Sequence, residues 1–230
     1  FTLHTAEMDY EMTQIREQYG MTPIEFLEHI GVLGPNTLTA HTIHATERDV
    51  EILAKHGASV AHCIASNTKA GKGVAPVSLM HKHGISVGFG TDGPASGNTL
   101  DLFIQMRMCE NFQKTTLHDR SALPAKEVVS MATIEGARAL GLGDVTGSIE
   151  PGKEADLVLI ETDSPNMFPV YDPYSAIVYS ASAANVRDVF VAGECLVKEK
   201  QLVRADFAKI RDELREKMER TKFGEMGNMV

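Results

Sequence analysis

Three short apolar runs in this chain each stop at a histidine: Phe1-Thr2-Leu3-His4, Thr39-Ala40-His41 and Val60-Ala61-His62. A fourth, Val87-Gly88-Phe89-Gly90, runs into Thr91-Asp92-Gly93-Pro94. Imidazole nitrogens and carboxylate oxygens are the donors of divalent metal sites. Glu7, just past His4, is placed to move protons to and from a metal-bound water. Such a set performs metal-assisted hydrolysis. Each residue alone is ordinary: one histidine ending an apolar strand is more often a hydrogen-bonded core residue than a ligand. An aspartate beside glycine is often a turn or N-cap residue. Three successive strands ending in histidine, and a fourth ending in aspartate, weigh against that reading. Gly90 and Gly93 around Asp92 let the backbone turn and a ligand approach.

Other polar residues do not join the set. His81-Lys82-His83 has His-x-His spacing, but it ends a helix ahead of the fourth strand. That is the opposite end of the sheet, and a helix C-terminus favours histidine by itself. His44, His56 and His118 read as surface residues. Ser66 to Gly73 is glycine- and lysine-bearing without the spacing of a phosphate-binding loop, and it reads as a loop over the open face. Cys63 reads as a small buried thiol.

The elements that position these residues alternate. A strand at 1–4 leads to helices near 8–19 and 23–30. A strand at 37–41 leads to a helix at 46–56 capped by Thr46. A strand at 58–62 leads through the 66–73 loop to a helix at 74–83, and a strand at 85–90 leads to a helix at 99–113. Alternation of this kind predicts an α/β fold with a parallel sheet covered by helices. In a barrel of parallel strands, the C-terminal strand ends converge on one open face. Beyond it, 124–140 reads as one helix ended by Gly141. Residues 155–160 and 186–192 read as strands, with a hairpin turn at Gly193-Glu194. Phe207, Ile210, Leu214 and Met218 give a C-terminal helix at 204–221 an apolar stripe, expected to be docked.

The 230 residues carry 22 Lys and Arg against 31 Asp and Glu, a formal charge of −9. That balance argues against nucleic acid as a partner. No apolar run approaches the roughly 18 residues needed to span a membrane. The three cysteines are far apart, which argues against a disulfide framework and fits a reducing cytoplasm.

Taken in order, Leu3-His4-Thr5-Ala6-Glu7, Ala40-His41, His62-Cys63-Ile64-Ala65-Ser66-Asn67, Gly90-Thr91-Asp92-Gly93-Pro94-Ala95-Ser96 and Gly147-Ser148-Ile149-Glu150-Pro151-Gly152-Lys153-Glu154-Ala155-Asp156-Leu157-Val158 resemble the amidohydrolase superfamily. The branch is the one with 5-methylthioadenosine/S-adenosylhomocysteine deaminases, guanine deaminase and triazine hydrolases. The resemblance implies that residues 1–145 are the C-terminal half of a (β/α)8 TIM barrel, strands five to eight with their helices. Residues 146–203 would be part of a small appended β-sandwich domain, and 204–230 a C-terminal amphipathic helix and tail. It implies His4 and Asp92 as metal ligands, with Asp92 also taking a proton from the hydrolytic water. Glu7 would be a proton shuttle and His41 a group that polarises or protonates substrate. His62, Ser96 and Asn98 are weaker substrate-contact candidates. The implied cofactor is one divalent metal, zinc first and iron second. The implied reaction is hydrolytic deamination, or dechlorination, of a purine, pyrimidine, adenosine-derivative or triazine-like ring by metal-bound hydroxide. Homo-oligomeric assembly is also implied.

The family's His-x-His on the first barrel strand does not occur in these residues, and two ligands fall short of the three or four that a catalytic zinc uses. The chain is therefore expected to need a missing N-terminal half, with unpaired strand edges without it. The other reading is a non-catalytic fragment or binding module that retains half a barrel. A cytidine-deaminase type of zinc enzyme is disfavoured, because H-x-E…P-C-x-x-C is absent.

Overall fold

The computed structural model describes residues 1–220. Strands β1 (Thr2–Thr5), β2 (Leu38–His41), β3 (Ser59–His62) and β4 (Val87–Phe89) form one parallel sheet in that order. In register His4 faces Ala40, Ala40 faces Ala61, and Ala61 faces Gly88. That puts the ends carrying His4, His41, His62 and Asp92 on one side of the sheet. Helices α1 (Asp9–Tyr19), α2 (Pro23–His29), α3 (Glu47–His56), α4 (Ile64–Lys69) and α5 (Val77–Lys82) connect the strands. After β4 come α6 (Pro94–Gly97), α7 (Leu102–Leu117), α8 (Ala125–Met131) and α9 (Ile134–Ala139). The core lies between strands and helices and includes Val50, Leu53, Val60, Ile64, Met80, Val87 and Met131.

Local chemistry fixes the helix ends. Thr46 and Asp49 form the capping box that starts α3, and Gly57 ends that helix in the left-handed region. The buried Asp49 carboxylate also accepts a hydrogen bond from the Thr22 hydroxyl, itself the cap of α2. One carboxylate thus ties two helix N-termini together. From α7, Gln105 accepts the Ala65 amide at 3.0 Å. Gln113 accepts the Ser78 amide at 3.1 Å and donates to the Ala75 carbonyl at 2.8 Å. Two buried side chains of one long helix thereby seat α4 and α5.

Three expectations about the helices need correcting. The segment from Ser66 begins as helix α4, not as loop; only the stretch after Lys69 is irregular. The single helix expected over 124–140 is two, broken at Ala132-Thr133, with Thr133 at φ −131° and ψ −102°. The break swings α9 onto β4, where Gly136 meets Gly88: a Cβ on Gly88 would lie 2.9 Å from the Gly136 Cα. Gly88→Ala is therefore expected to destabilise the fold by about 1–3 kcal/mol through overpacking against backbone, read as a lower denaturant midpoint. The third correction concerns the C-terminal helix. Its apolar stripe, Phe207, Ile210, Leu214 and Met218, is exposed where burial was expected.

A second, antiparallel sheet contains β5 (Leu157–Ile160), β6 (Val186–Val191), β7 (Glu194–Lys198) and β8 (Gln201–Leu202), in that order. The β6–β7 turn is Ala192-Gly193, both at positive φ, as two-residue hairpins favour. It lies one residue earlier than expected, and β8 was not anticipated. Between β5 and β6, α10 (Pro173–Ser175) runs into a π-helical turn, Ala176–Ser180. Arg107 of α7 donates to the Val178 and Ala181 carbonyls at 3.2 and 2.8 Å, tying this connection to the first unit. The last helix is α11 (Phe207–Arg220); the rest of the expected C-terminal segment, 221–230, lies outside the described residues. Among the described residues, no helix is long and apolar enough to cross a membrane.

Candidate active site

The backbone past β1 and β2 is pinned before any side chain acts. Thr42 N–H donates to Thr5 O at 3.1 Å, and His44 N–H donates to Ala6 O at 2.9 Å. The Glu11 carboxylate accepts the Ala6 and Glu7 amides at 2.8 and 2.9 Å. A residue in the first turn of α1 therefore holds the turn that carries Glu7. Ala6, His41, Thr42 and Asp92 have φ of 49°, 67°, 50° and 57°. These are left-handed conformations that cost non-glycine residues energy.

Around this frame five side chains converge. The His4 ring stacks on the His41 ring, with centroids 5.3 Å apart and planes 23° apart. His41 Nε2 lies 3.6 Å from Glu7 Oε1. The same oxygen accepts a hydrogen bond from Lys72 Nζ at 2.5 Å. His41 Nδ1 lies 2.8 Å from Asn67 Oδ1. An amide oxygen only accepts, so in this arrangement Nδ1 carries the proton and Nε2 is turned toward Glu7.

Asp92 is held separately but by the same helix. Ser66 donates to Asp92 Oδ2 at 2.6 Å, and the Gly93 amide donates to Oδ1 at 2.8 Å. The Ser66 hydrogen bond first, then the Gly93 amide and the nearby His41, hold the carboxyl below the ordinary aspartate range against the opposing effect of burial. Asp92 is thus an ionised donor at neutral pH. Ser66 and Asn67 are adjacent in the first turns of α4, so one short helix braces both Asp92 and His41. Neither bracing role was anticipated, nor were those of Glu11 and Lys72. The only signals were the polar Ser66-Asn67 pair after the third strand and an acid in the first turn of α1.

The other candidates are distributed as follows. His62 is fully buried, and neither ring nitrogen meets a hydrogen-bond partner among the described residues. Burial, with His41 beside it, pushes its pKa down to about 3. The folded state keeps His62 neutral, while the unfolded chain protonates it near its ordinary value of 6.5. The unfolded state therefore binds more protons between these values, and stability falls as pH drops from 6.5 toward 3. The expected slope is on the order of 1 kcal/mol per pH unit. Urea midpoints at pH 7 and pH 5 should differ less in His62→Leu than in the wild type. Ser96 is exposed on α6 and lies close enough to help hold the Asp92 charge. Asn98 accepts a hydrogen bond from Lys69, so its side chain is engaged beside the site. Burial and then the Asp92 charge push the Cys63 thiol up to about 11, which removes it as a nucleophile.

His81 lies at the other end of the sheet, 3.0 Å from Glu135 and 3.6 Å from Glu127. A cleft of about 630 Å³ beside it, lined by Ile85, Leu123 and Arg138, contains none of the converging residues.

His4 and Asp92 offer the nitrogen and oxygen donors that suit zinc or iron. Among the described residues, no group of three or more His, Cys, Asp or Glu is arranged to hold a metal. The donor chemistry fits a divalent ion, and the donor count is incomplete within these residues.

Residues 1–196 match the amidohydrolase family. A 5-methylthioadenosine/S-adenosylhomocysteine deaminase of Desulfitobacterium hafniense is 43% identical over 208 residues, covering 90% of this chain and 48% of that protein. An adenosine deaminase structure from Xanthomonas campestris with bound zinc superposes with a TM-score of 0.92 at 34% identity, over 95% of this chain and 50% of that one. A zinc complex of atrazine chlorohydrolase from Arthrobacter aurescens gives 0.85 at 29% identity, over 94% and 48%. The chain spans about half the length of the curated relatives it matches.

Proposed function

The chain belongs to the amidohydrolase family, and on that footing we propose that it supplies half the active site of a hydrolase that deaminates an adenosine derivative. Water replaces the exocyclic amine at a ring carbon, and ammonia leaves. The observation that carries this is the convergence of Glu7 and His41, with Asp92 braced through the same helix, at the C-terminal ends of parallel strands. The identity to a deaminase acting on 5-methylthioadenosine and S-adenosylhomocysteine supports the substrate class. In this reading β1–β4 are the second half of a (β/α)8 barrel, and β5–β8 belong to a small β-sandwich domain. The free cysteines support a reducing, cytoplasmic setting.

His4 and Asp92 would hold one divalent ion, zinc first, with the remaining ligands from polypeptide outside these residues. Such an ion supplies a Lewis acid that lowers the pKa of water to about 7. Glu7 carries protons to the ring nitrogen and the leaving amine. His41, held through Nδ1 by Asn67, polarises the ring substituent in the form that also carries a proton on Nε2. Asp92 accepts a proton from the attacking water. A binding module has no need of a glutamate, a histidine and an aspartate each braced by neighbours, so the non-catalytic reading is not favoured.

The test is turnover by the full-length, metal-loaded protein. 5-Methylthioadenosine, S-adenosylhomocysteine and adenosine are offered beside a chlorotriazine, and ammonia and chloride are measured. Ammonia from the nucleosides supports the reading. Chloride from the triazine alone, or neither product, overturns it.

A further inference from the structure

We propose that Lys72 is a positioning residue that holds Glu7 in its working orientation; this rests on the reading of Glu7 as the proton-carrying group. Lys72 lies on the irregular connection between α4 and α5. Its ammonium donates to Glu7 Oε1 at 2.5 Å, and both side chains are about one-fifth exposed, at 20% and 19%. Ion pairs in open solvent contribute little; this one is largely shielded, and it acts on the carboxylate that the chemistry needs.

The connection that carries Lys72 is itself anchored. Lys72 N–H donates to the Asn67 carbonyl at 2.9 Å. Gly71 and Gly73 flank it at φ of 66° and 117°, and a Cβ on Gly73 would lie 3.0 Å from Ile43 Cγ2. The backbone therefore sits close against the segment after β2, and only glycine allows that approach. The contacts then close into a ring. Lys72 holds Glu7, Glu7 faces His41 Nε2, His41 Nδ1 bonds the Asn67 side chain, and the Asn67 carbonyl holds the Lys72 backbone. Lys72 and His41 address the same oxygen of Glu7. Among the described residues no hydrogen bond reaches Oε2, so one oxygen of Glu7 is restrained and the other is uncommitted. A glutamate has three side-chain torsions to restrain, and a cation at one oxygen restrains them while balancing the charge as substrate displaces water.

The test uses the full-length, metal-loaded protein with 5-methylthioadenosine. Lys72→Met is expected to lower kcat by about tenfold or more, with KM changed by less than about threefold and bound metal unchanged. Lys72→Arg, which keeps the cation, should recover most of that loss. In a Glu7→Gln background, Lys72→Met should add less than about twofold, because its effect passes through Glu7. Multiplicative effects in the double variant overturn the proposal, as does a rise in KM alone. A crystal structure of Lys72→Met gives a readout independent of turnover. Glu7 swung from its wild-type place supports the proposal, and Glu7 unmoved overturns it. If the wild type turns over none of the nucleosides, the functional reading fails, while the crystallographic comparison still decides the role of Lys72.

Discussion

Glu7→Gln is expected to reduce kcat of the full-length protein by about 10²–10⁴-fold, the usual range for loss of a general acid–base group, with bound metal retained. Glutamine keeps the shape and one acceptor oxygen. The Glu11 clamp on the Ala6 and Glu7 amides is a backbone interaction, so the turn stays in place. The substitution removes the capacity to take and return a proton, together with the charge that pairs with Lys72. Metal content by elemental analysis and single-turnover rates separate the two effects. Metal loss from Glu7→Gln would show that the carboxylate is a ligand and not a shuttle.

Asp92→Ala should fail differently. The side chain is ionised, braced by Ser66 at 2.6 Å, and placed at the end of β4. Loss of an outer-sphere partner alone typically costs 10–100-fold in metal affinity, so loss of a ligand should cost more than about 100-fold. Turnover should fall with it and should return only partly at high metal concentration. A variant that keeps both metal and rate would remove Asp92 from the ligand set. Ser66 becomes a donor without an acceptor in this variant, but it is next to solvent-accessible α6 residues and water can replace the partner.

The placing of the reactive ends was legible because each strand is an apolar run that stops at one polar residue, a signal that needs no tertiary knowledge. The bracing was not. Ser66 and Asn67 look like loop material because Gly71 and Gly73 follow closely, and their roles depend on Asp92 and His41, far away in sequence. The break at Ala132-Thr133 was equally hidden. Met131, Ala132 and Glu135 are good helix formers and Thr133 and Ile134 are only mildly unfavourable, while the approach of Gly136 to Gly88 that accompanies the break is a tertiary contact. The stripe on α11 was read correctly as a pattern, and its residues are exposed. Spacing defines a face of a helix and says nothing about what covers it. Lys72 was visible as a basic residue in a glycine-flanked stretch, but only the fold brings it to Glu7.

The left-handed residues at the strand ends have an evolutionary consequence. Each such conformation in a non-glycine residue holds on the order of 1 kcal/mol or more of strain. His41 and Asp92 cannot be exchanged without losing their chemistry, and the buried Thr42 hydroxyl bonds Thr39 at 3.0 Å, but Ala6 (φ 49°) can become glycine. A lineage selected for heat resistance alone has an accessible mutational step at that codon, and the step slackens the turn that aims Glu7. Selection for turnover opposes the same step. Warm-adapted and fast-turnover descendants should therefore diverge first at this inconspicuous position, before any residue that touches substrate has changed.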